Sequence, residues 1–380
     1  MTVKRRLVPL ALLAALAAAP PAAAQDKVRV GVFPVSSSLP VYVAQDRGFF
    51  KEQKIDVEVS RLIGGPPNVS GLITNQIDAA AILVTIEGIN ANLKKPGVAM
   101  YISLNGQNSQ HLMEQFVVRR GANIRSLADL KGKKIMSAPG PANVTMAKAV
   151  LAAVGLKEGD YQLDQLDMGQ HVNAMTAGTF DAGYTLEPNA AIMRKAGVAT
   201  TLEGGVIAKY ILGNAKANAW VGGGVVSTDF MKSRPDVARR YAIAWAKAID
   251  FINANPKDAR KSLLKNTLTP DDLVDEVPLV KFANVADLTA ADKADFQKFI
   301  DYSVTTGTLS EKVDVTKYLT VLANRNALKF YEAVGFVAIG EQKTELGPTG
   351  LLMVNPPWTL QGELKTILPE LEKPLGQGGA

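Results

Sequence analysis

The chain has 380 residues, of which 47% are hydrophobic and 21% charged, and its formal net charge is +6. This length allows two domains with a core each, and the composition excludes a largely disordered chain. With two histidines and no cysteine, the chain cannot form disulfides and lacks most familiar metal and nucleophile constellations, so we expect no metal and no cofactor.

The first 24 residues have the pattern of a secretory signal peptide. Three basic residues at 4–6 precede an apolar run at 7–19, and small residues at 22–24 fit a cleavage site before Gln25. At about 13 residues, the apolar run is shorter than the roughly 20 that a membrane-spanning helix needs. Removing the leader leaves 39 Lys and Arg against 36 Asp and Glu, a net charge of +3. We therefore expect export to the periplasm as a soluble protein.

Strand and helix patterns alternate in the first third of the exported chain. Strands are predicted at 28–33, 55–59 and 79–84, where apolar and β-branched residues alternate or run continuously. A short helix is predicted at 41–47, and another begins after the Gly- and Pro-rich turn at 64–67. This alternation predicts a parallel sheet with crossover helices.

The same pattern restarts near residues 119–121. The predicted elements that follow are a strand at 133–137, a helix at 144–154 and a strand at 178–184. After 220–224 the chain is predicted to be mainly helical, most clearly at 235–255. The apolar face of that last helix, expected in the core, consists of Val237, Tyr241, Trp245, Ala248, Ile249 and Ile252.

Two stretches about 100 residues apart, 72–80 and 175–183, share one pattern. In each, an apolar helical run ends at Asn75 or Gly178, residues that tolerate the left-handed backbone of a helix C-terminus. An Asp-Ala pair then opens a buried strand. Two equivalent helix-to-strand units predict two lobes of related α/β design, with a cleft between them for a small molecule.

Ligands of doubly wound sheets bind beyond the carboxyl ends of the strands, where loops lead into helices. In the first lobe, the candidate ligand-binding residues in such loops are Ser36, Ser37, Ser38, Tyr42, Gly65, Pro66 and Thr85. In the second, Gly140 and Asn143 stand at a helix N-terminus, whose unpaired N–H groups favour an anionic oxygen. Because these loops contain no arginine, hydroxyl and helix-terminus contacts are expected to outweigh ion pairing, which disfavours purely anionic ligands.

A series of short motifs extends over residues 28–260. It comprises 46–51 followed by 55–58, then 73–80, 129–135 before Pro139-Gly140, 177–182 and Glu187-Pro188. In order and spacing, the series resembles the nitrate/sulfonate/taurine and thiamine-precursor group of ABC-transporter substrate-binding proteins. The resemblance implies a type II periplasmic-binding fold, with two doubly wound α/β lobes around a cleft and two segments that cross between them.

The same resemblance implies domain boundaries and further site residues. After the signal peptide at 1–24, the implied domains are a first lobe at 25–118 and 214–320, a second lobe at 119–213 and a C-terminal extension at 321–380, with the second crossing near 209–221. Glu187 matches an acidic residue that often reaches the solute in this group. Some members have an aromatic residue directly before it, whereas this chain has Leu186 there and Tyr184 two residues earlier.

The implied function is that of a monomeric periplasmic protein that delivers a small solute to an inner-membrane ABC permease and its ATPase, without being an enzyme. Sulfonate, nitrate, an aromatic acid and a pyrimidine remain open as solutes. Scattered basic residues without an aromatic stripe argue against nucleic-acid binding. An enzyme on the same fold, such as the thiamine-pyrimidine synthases of the wider group, would be expected to use histidine and a cysteine cluster.

Residues 324–336 resemble the closing motif of the GNAT superfamily of N-acetyltransferases, in which a helix carrying an Asn and a Phe-Tyr pair precedes a strand. By position, Tyr331 would be the tyrosine that can act as a general acid. The glycine-rich turn that holds the pyrophosphate of coenzyme A in that superfamily is not found before a helix here. The alternative is a helix packed on a lobe, followed by a variable tail.

Overall fold

The structure is a computed structural model that describes residues 25–322. Within that range the strands are β1 (Asp26–Val32), β2 (Ile55–Arg61), β3 (Ala79–Val84), β4 (Met100–Tyr101), β5 (Ser103–Gln107), β6 (Glu114–Arg119), β7 (Lys134–Ser137), β8 (Gln162–Gln165), β9 (Ala182–Leu186), β10 (Ala199–Gly204), β11 (Ala219–Val226) and β12 (Lys281–Asn284). The predicted signal peptide and the GNAT-like segment with Tyr331 lie outside the described residues.

The α-helices connect or follow these strands. They are α1 (Leu39–Asp46), α2 (Phe49–Glu52), α3 (Gly65–Ile73), α4 (Thr85–Lys94), α5 (Pro141–Ala153), α6 (His171–Thr176), α7 (Asn189–Lys195), α8 (Thr228–Ser233), α9 (Pro235–Ala254), α10 (Pro256–Arg260) and α11 (Ala290–Thr305). The helix predicted at 235–255 is α9, and all six residues of its predicted apolar face are buried. Its Trp245 Nε1 donates to Ser103 Oγ at 2.9 Å, which ties the helix to β5.

Two sheets organise the described strands. The larger has the order β12-β5-β11-β3-β1-β2, with β4 paired to β11, and the smaller has the order β10-β6-β9-β7-β8. We call the larger sheet with its helices the first lobe and the smaller sheet with its helices the second lobe. In each lobe three neighbouring strands are parallel, β2-β1-β3 or β8-β7-β9. The first strand after the chain enters a lobe from the other one is antiparallel to its neighbour: β11 pairs with β3, and β6 pairs with β9.

The two lobes therefore share one topology, which confirms the prediction from the repeated pattern. Asn75 and Gly178 both have the left-handed backbone expected of them, with φ of 56° and 70°. The expectation of a parallel sheet with crossover helices holds for the three strands β2-β1-β3 and β8-β7-β9 of the two lobes. It is wrong for the rest, because the first strand after the chain enters each lobe from the other, β6 or β11, is antiparallel to its neighbours. In the first lobe that strand, β11, is not predicted from the sequence. A Cβ on Gly223 would lie 2.1 Å from Ser103 O, so close packing of β5 demands the glycines that weaken the strand signal.

Two crossings join the lobes, residues 108–113 between β5 and β6 and residues 205–218 between β10 and β11. They contact each other, since Asn108 Nδ2 donates to Asn218 Oδ1 at 3.0 Å. A Cβ on Gly205 would lie 2.7 Å from the backbone of Asn108, which leaves room for glycine alone. The lobe boundary expected at residue 118 falls inside β6, which pairs within the smaller sheet.

In each lobe, one carboxylate joins two parallel strands: Asp78 joins β3 to β1, and Asp181 joins β9 to β7. Asp78, just before β3, accepts hydrogen bonds from the backbone N–H of Arg29 in β1 at 2.9 Å and from the Arg29 guanidinium at 2.8 Å. Arg234 Nη2 lies 2.8 Å from the same carboxylate. Burial acts to raise the pKa of Asp78, but the hydrogen bonds from Arg29 and Arg234 hold it below its usual value. Asp78 therefore stays ionised at neutral pH.

Asp181 has the equivalent place before β9. It accepts from the backbone N–H of Lys134 in β7 at 3.1 Å and from Arg119 Nη2 at 3.3 Å. The Asp181 side chain is 29% exposed, whereas that of Asp78 is 7% exposed. Water thus screens the second pair more than the first.

Replacing these two carboxylates should destabilise the protein unequally. We expect Asp78→Ala to lower the free energy of unfolding by about 3 kcal/mol, because it deprives two arginines of their buried carboxylate and leaves a strand N–H without its acceptor. Asp181→Ala should cost roughly 1 kcal/mol because its pair is more exposed. Urea denaturation of both variants measures the difference, and equal losses would contradict the assigned roles.

Candidate functional site

A pocket of about 40 Å³ lies between the two lobes, at the carboxyl ends of β1 and β3. The first lobe contributes Ser37 and Val84, and the second lobe contributes Asn143 and Leu186. Most of the lining residues are apolar, and the polar ones are Ser37, Asn105, Glu114 and Asn143. The predicted Ser37 and Asn143 thus lie at the pocket, whereas Asn105 and Glu114 were not predicted.

Asn105 is held with one polar atom unpaired. Its Nδ2 donates to the carbonyl oxygen of Ser37 at 3.1 Å, and its Oδ1 is buried without a hydrogen-bond partner. The side chain is 3% exposed. Asn105 is therefore a fixed amide with a spare acceptor in the pocket wall.

Glu114 begins β6, directly after the first crossing. The amide of Gln107 contacts the carboxylate of Glu114, and the Glu114 N–H donates to Gln107 Oε1 at 3.2 Å. These two contacts join the residues on either side of the first crossing. Burial raises the pKa of Glu114 from 4.5 to about 7, partly opposed by its own backbone N–H. The pocket thus contains a carboxyl group that changes charge near neutral pH.

The neighbouring hydroxyl groups are engaged within the protein. Ser38 Oγ donates to Phe33 O at 2.6 Å, Thr85 Oγ1 donates to Trp220 O at 3.0 Å, and Ser36 Oγ lies 3.5 Å from Met113 Sδ. These three predicted residues shape the loops around the pocket and do not line it.

Tyr42, Tyr184 and Pro66 also lie outside the pocket lining. The hydroxyl groups of the two tyrosines are buried without a hydrogen-bond partner, and burial raises the pKa of both. The Tyr184 ring packs against Phe116, with ring centroids 5.2 Å apart. Pro66 is exposed in the first turn of α3.

Glu87, from the first turn of α4, occupies the helix N-terminus that was predicted to hold a ligand anion. The backbone N–H of Ala142 in α5 interacts with its carboxylate and opposes the burial that raises the pKa of Glu87 to about 7. A Cβ on Gly65 would lie 1.3 Å from Glu87 Oε2, and one on Gly140 would lie 3.7 Å from Oε1. The backbone of Gly65, which was expected to approach a ligand closely, is therefore in contact with the Glu87 carboxylate instead.

Glu187 is fully buried in the second lobe and is not at the pocket. Its carboxylate lies 3.0 Å from Arg194 Nη2 and accepts from the N–H of Ala191 at 3.0 Å, and the amide of Gln115 also donates to it. Burial raises the pKa of Glu187, and the charge of Arg194 opposes that rise. The Glu187 carboxylate thus joins Arg194, Ala191 and Gln115 within the second lobe, and it has no contact with the pocket that lies between the lobes.

We expect Glu187→Ala to lower the free energy of unfolding by about 3 kcal/mol, because it leaves Arg194 and a buried amide without their partner. Asn143→Ala, at the pocket, should change the free energy of unfolding by less than about 1 kcal/mol. Thermal and urea denaturation of the two variants measure this contrast. A Glu187→Ala protein as stable as the wild type would show that the buried pair has no structural role.

Stability should also fall as the pH rises from about 4.5 to 7. In that window the unfolded carboxyls of Glu87 and Glu114 ionise at their ordinary pKa of 4.5, while the folded ones, with a pKa of about 7, keep their protons. The stabilisation that the two raised pKa values provide is complete below pH 4.5 and is lost above pH 7. It amounts to a few kcal/mol of the free energy of unfolding.

Urea denaturation at pH 5 and pH 8 measures this loss. The double variant Glu87→Gln with Glu114→Gln should reduce it, whereas the control Glu311→Gln, at an exposed position, should not. An unchanged pH dependence in the double variant would contradict the assignment to these two groups.

Comparison with known proteins supports this architecture. The family model described as "NMT1/THI5 like" matches residues 36–259. The Bacillus subtilis (strain 168) protein named "Putative aliphatic sulfonates-binding protein" is 23% identical over 329 residues, which cover 81% of this chain and 90% of that protein.

Solved structures resemble the chain over most of its length. The alkanesulfonate-binding protein SsuA from Xanthomonas axonopodis pv. citri, bound to MOPS, has a TM-score of 0.62 at 20% identity and covers 79% of this chain and 100% of its own. The periplasmic nitrate-binding protein NrtA from Synechocystis PCC 6803 has a TM-score of 0.63 at 14% identity and covers 83% of this chain and 90% of its own.

These likenesses confirm the fold class: two doubly wound α/β lobes around a cleft, joined by two crossings, as in the type II periplasmic-binding fold. Within residues 25–322, none of the helices is long and apolar enough to cross a membrane. Since the family model matches more than half of its length, the chain belongs to the NMT1/THI5-like family.

Proposed function

We propose that this chain is the periplasmic solute-binding component of an ABC importer, which captures a small solute between its lobes and delivers it to an inner-membrane permease and its ATPase. The observation that carries the proposal is a pocket to which both lobes and the first crossing contribute, with Ser37, Asn143 and Met113 as examples. Family membership and the binding-protein names of the relatives support it.

Solute capture would couple to movement of the lobes. The pocket, at about 40 Å³, has room for only a few water molecules, so a larger solute requires the lobes to separate first. Rotation about the paired crossings at 108–113 and 205–218 provides that opening. A solute that contacts both lobes then stabilises the closed arrangement in proportion to its preference for it, and the permease recognises that closed form.

A binding role has more support than an enzymatic one. The three relatives described above are named as binding proteins. Both ring nitrogens of the buried His171 are hydrogen-bonded, to Thr185 Oγ1 at 2.9 Å and Leu166 O at 3.0 Å, which is a structural environment. We also propose that the leader at 1–24 exports the chain to the periplasm and that it acts there as a monomer.

Native mass spectrometry of the full chain purified from its host's periplasm tests the function. We expect a retained small molecule, and small-angle scattering should show a smaller radius of gyration with that solute than after its removal. Asn143→Ala should retain less of it, whereas Ser70→Ala, at an exposed site on α3, should retain it fully. A protein that carries no solute and keeps one radius throughout would overturn the proposal.

A further inference from the structure

We infer that the solute is a small, largely apolar molecule that presents N–H donors, as an amine or an amino-substituted ring does, to Asn105 and Glu114. This inference rests on the proposed function and specifies its solute class. It places the chain apart from proteins whose names state sulfonate or nitrate as the bound solute.

The first support is the unpaired acceptor of Asn105. The carbonyl of Ser37 can only accept a hydrogen bond, so it fixes the Asn105 amide with Nδ2 toward Ser37 and leaves Oδ1 as the buried atom without a partner. A buried acceptor without a donor costs on the order of 1–3 kcal/mol. A ligand N–H at this place removes that cost, whereas an anionic oxygen would be repelled by the same lone pairs.

The second support is the carboxyl group of Glu114. Glu114 lines the pocket and is 8% exposed, and the Gln107 amide engages its Oε2 atom. The backbone N–H of Glu114 also acts on this carboxylate, but no lysine or arginine among the described lining residues neutralises it. A charged or polar N–H donor is the natural partner for such a carboxylate.

The third support is the charge around the pocket. Neither a lysine nor an arginine is among the described residues that line it, and the nearby start of α5 interacts with the carboxylate of Glu87. An anion would lose its hydration next to carboxyl groups without gaining a cation. A cationic or neutral donor meets no such penalty.

The binding of an amine should strengthen as Glu114 ionises. The groups that face Glu114 are the neutral amide of Gln107 on β5 and the phenol of Tyr184 on β9, whose pKa burial raises well above its usual value. Glu114 is therefore the group among these that titrates near neutral pH, where burial places its pKa at about 7. An amine, which is cationic throughout this range, should bind more tightly at pH 8 than at pH 6.

Calorimetric titration with benzylamine and benzenesulfonate, which share a ring and differ in the sign of the headgroup, tests the inference. We expect benzylamine to bind at least about tenfold more tightly than benzenesulfonate and several-fold more tightly at pH 8 than at pH 6. Glu114→Gln should weaken benzylamine binding about tenfold and remove its pH dependence, without weakening benzenesulfonate. The control Glu311→Gln should change neither.

Asn105→Leu provides a second variant in case Glu114→Gln does not fold. It should weaken benzylamine binding by several-fold while the unfolding temperature stays near that of the wild type, which a purely structural role for Asn105 would not produce. Tighter binding of benzenesulfonate than of benzylamine, or binding of neither, overturns the amine class. The proposed function fails separately, when the host-purified protein carries no solute of any class.

Discussion

The residues that β3 and β9 contribute to the cleft depend on how these strands are aligned with β1 and β7, their parallel neighbours. Asp78 and Asp181 fix that alignment, because each accepts a hydrogen bond from a backbone N–H of the neighbouring strand as well as from an arginine. Side chains alternate between the faces of a strand, so a slip of one residue would reverse them all. Val84 and Leu186, at the far ends of the same strands, would then leave the pocket. An ion pair at the amino ends of the strands thereby helps to position the pocket residues at their carboxyl ends.

The strands that follow the two crossings determine which parts of the chain can bend. β6 and β11 each enter a sheet directly after a crossing and pair on both sides within it. The chain is therefore held inside a sheet by hydrogen bonds on both sides as soon as it leaves a crossing. The contact of Asn108 with Asn218 and the close approach of Gly205 to the Asn108 backbone place the two crossings side by side. The lobes should move as rigid bodies, since bending elsewhere would break sheet hydrogen bonds.

The repeated architecture could be predicted from the sequence because its signals are local. Asn75 and Gly178 mark helix ends by backbone tolerance alone, and β3 is a continuous apolar run. β5 and β11 could not be predicted in this way, because the first has a single large apolar residue, Leu104, and the second contains three consecutive glycines. Ser37 and Asn143 follow predicted strands and were therefore identified as site residues. Asn105 and Glu114 belong to strands that were missed, and the partner of Glu187 becomes evident only when Arg194 folds back onto it.

The contact between Glu87 and the start of α5 has a consequence for competition. The carboxyl group of Glu87 is tethered at this helix end, at an effective concentration set by the fold, and its pKa of about 7 means that its negative charge grows as the pH rises through neutrality. A free carboxylate, sulfonate or phosphate must displace this tethered group before it reaches the N–H groups at the start of α5. That helix end is thus protected from adventitious anions by a side chain of the protein itself, and most strongly above pH 7.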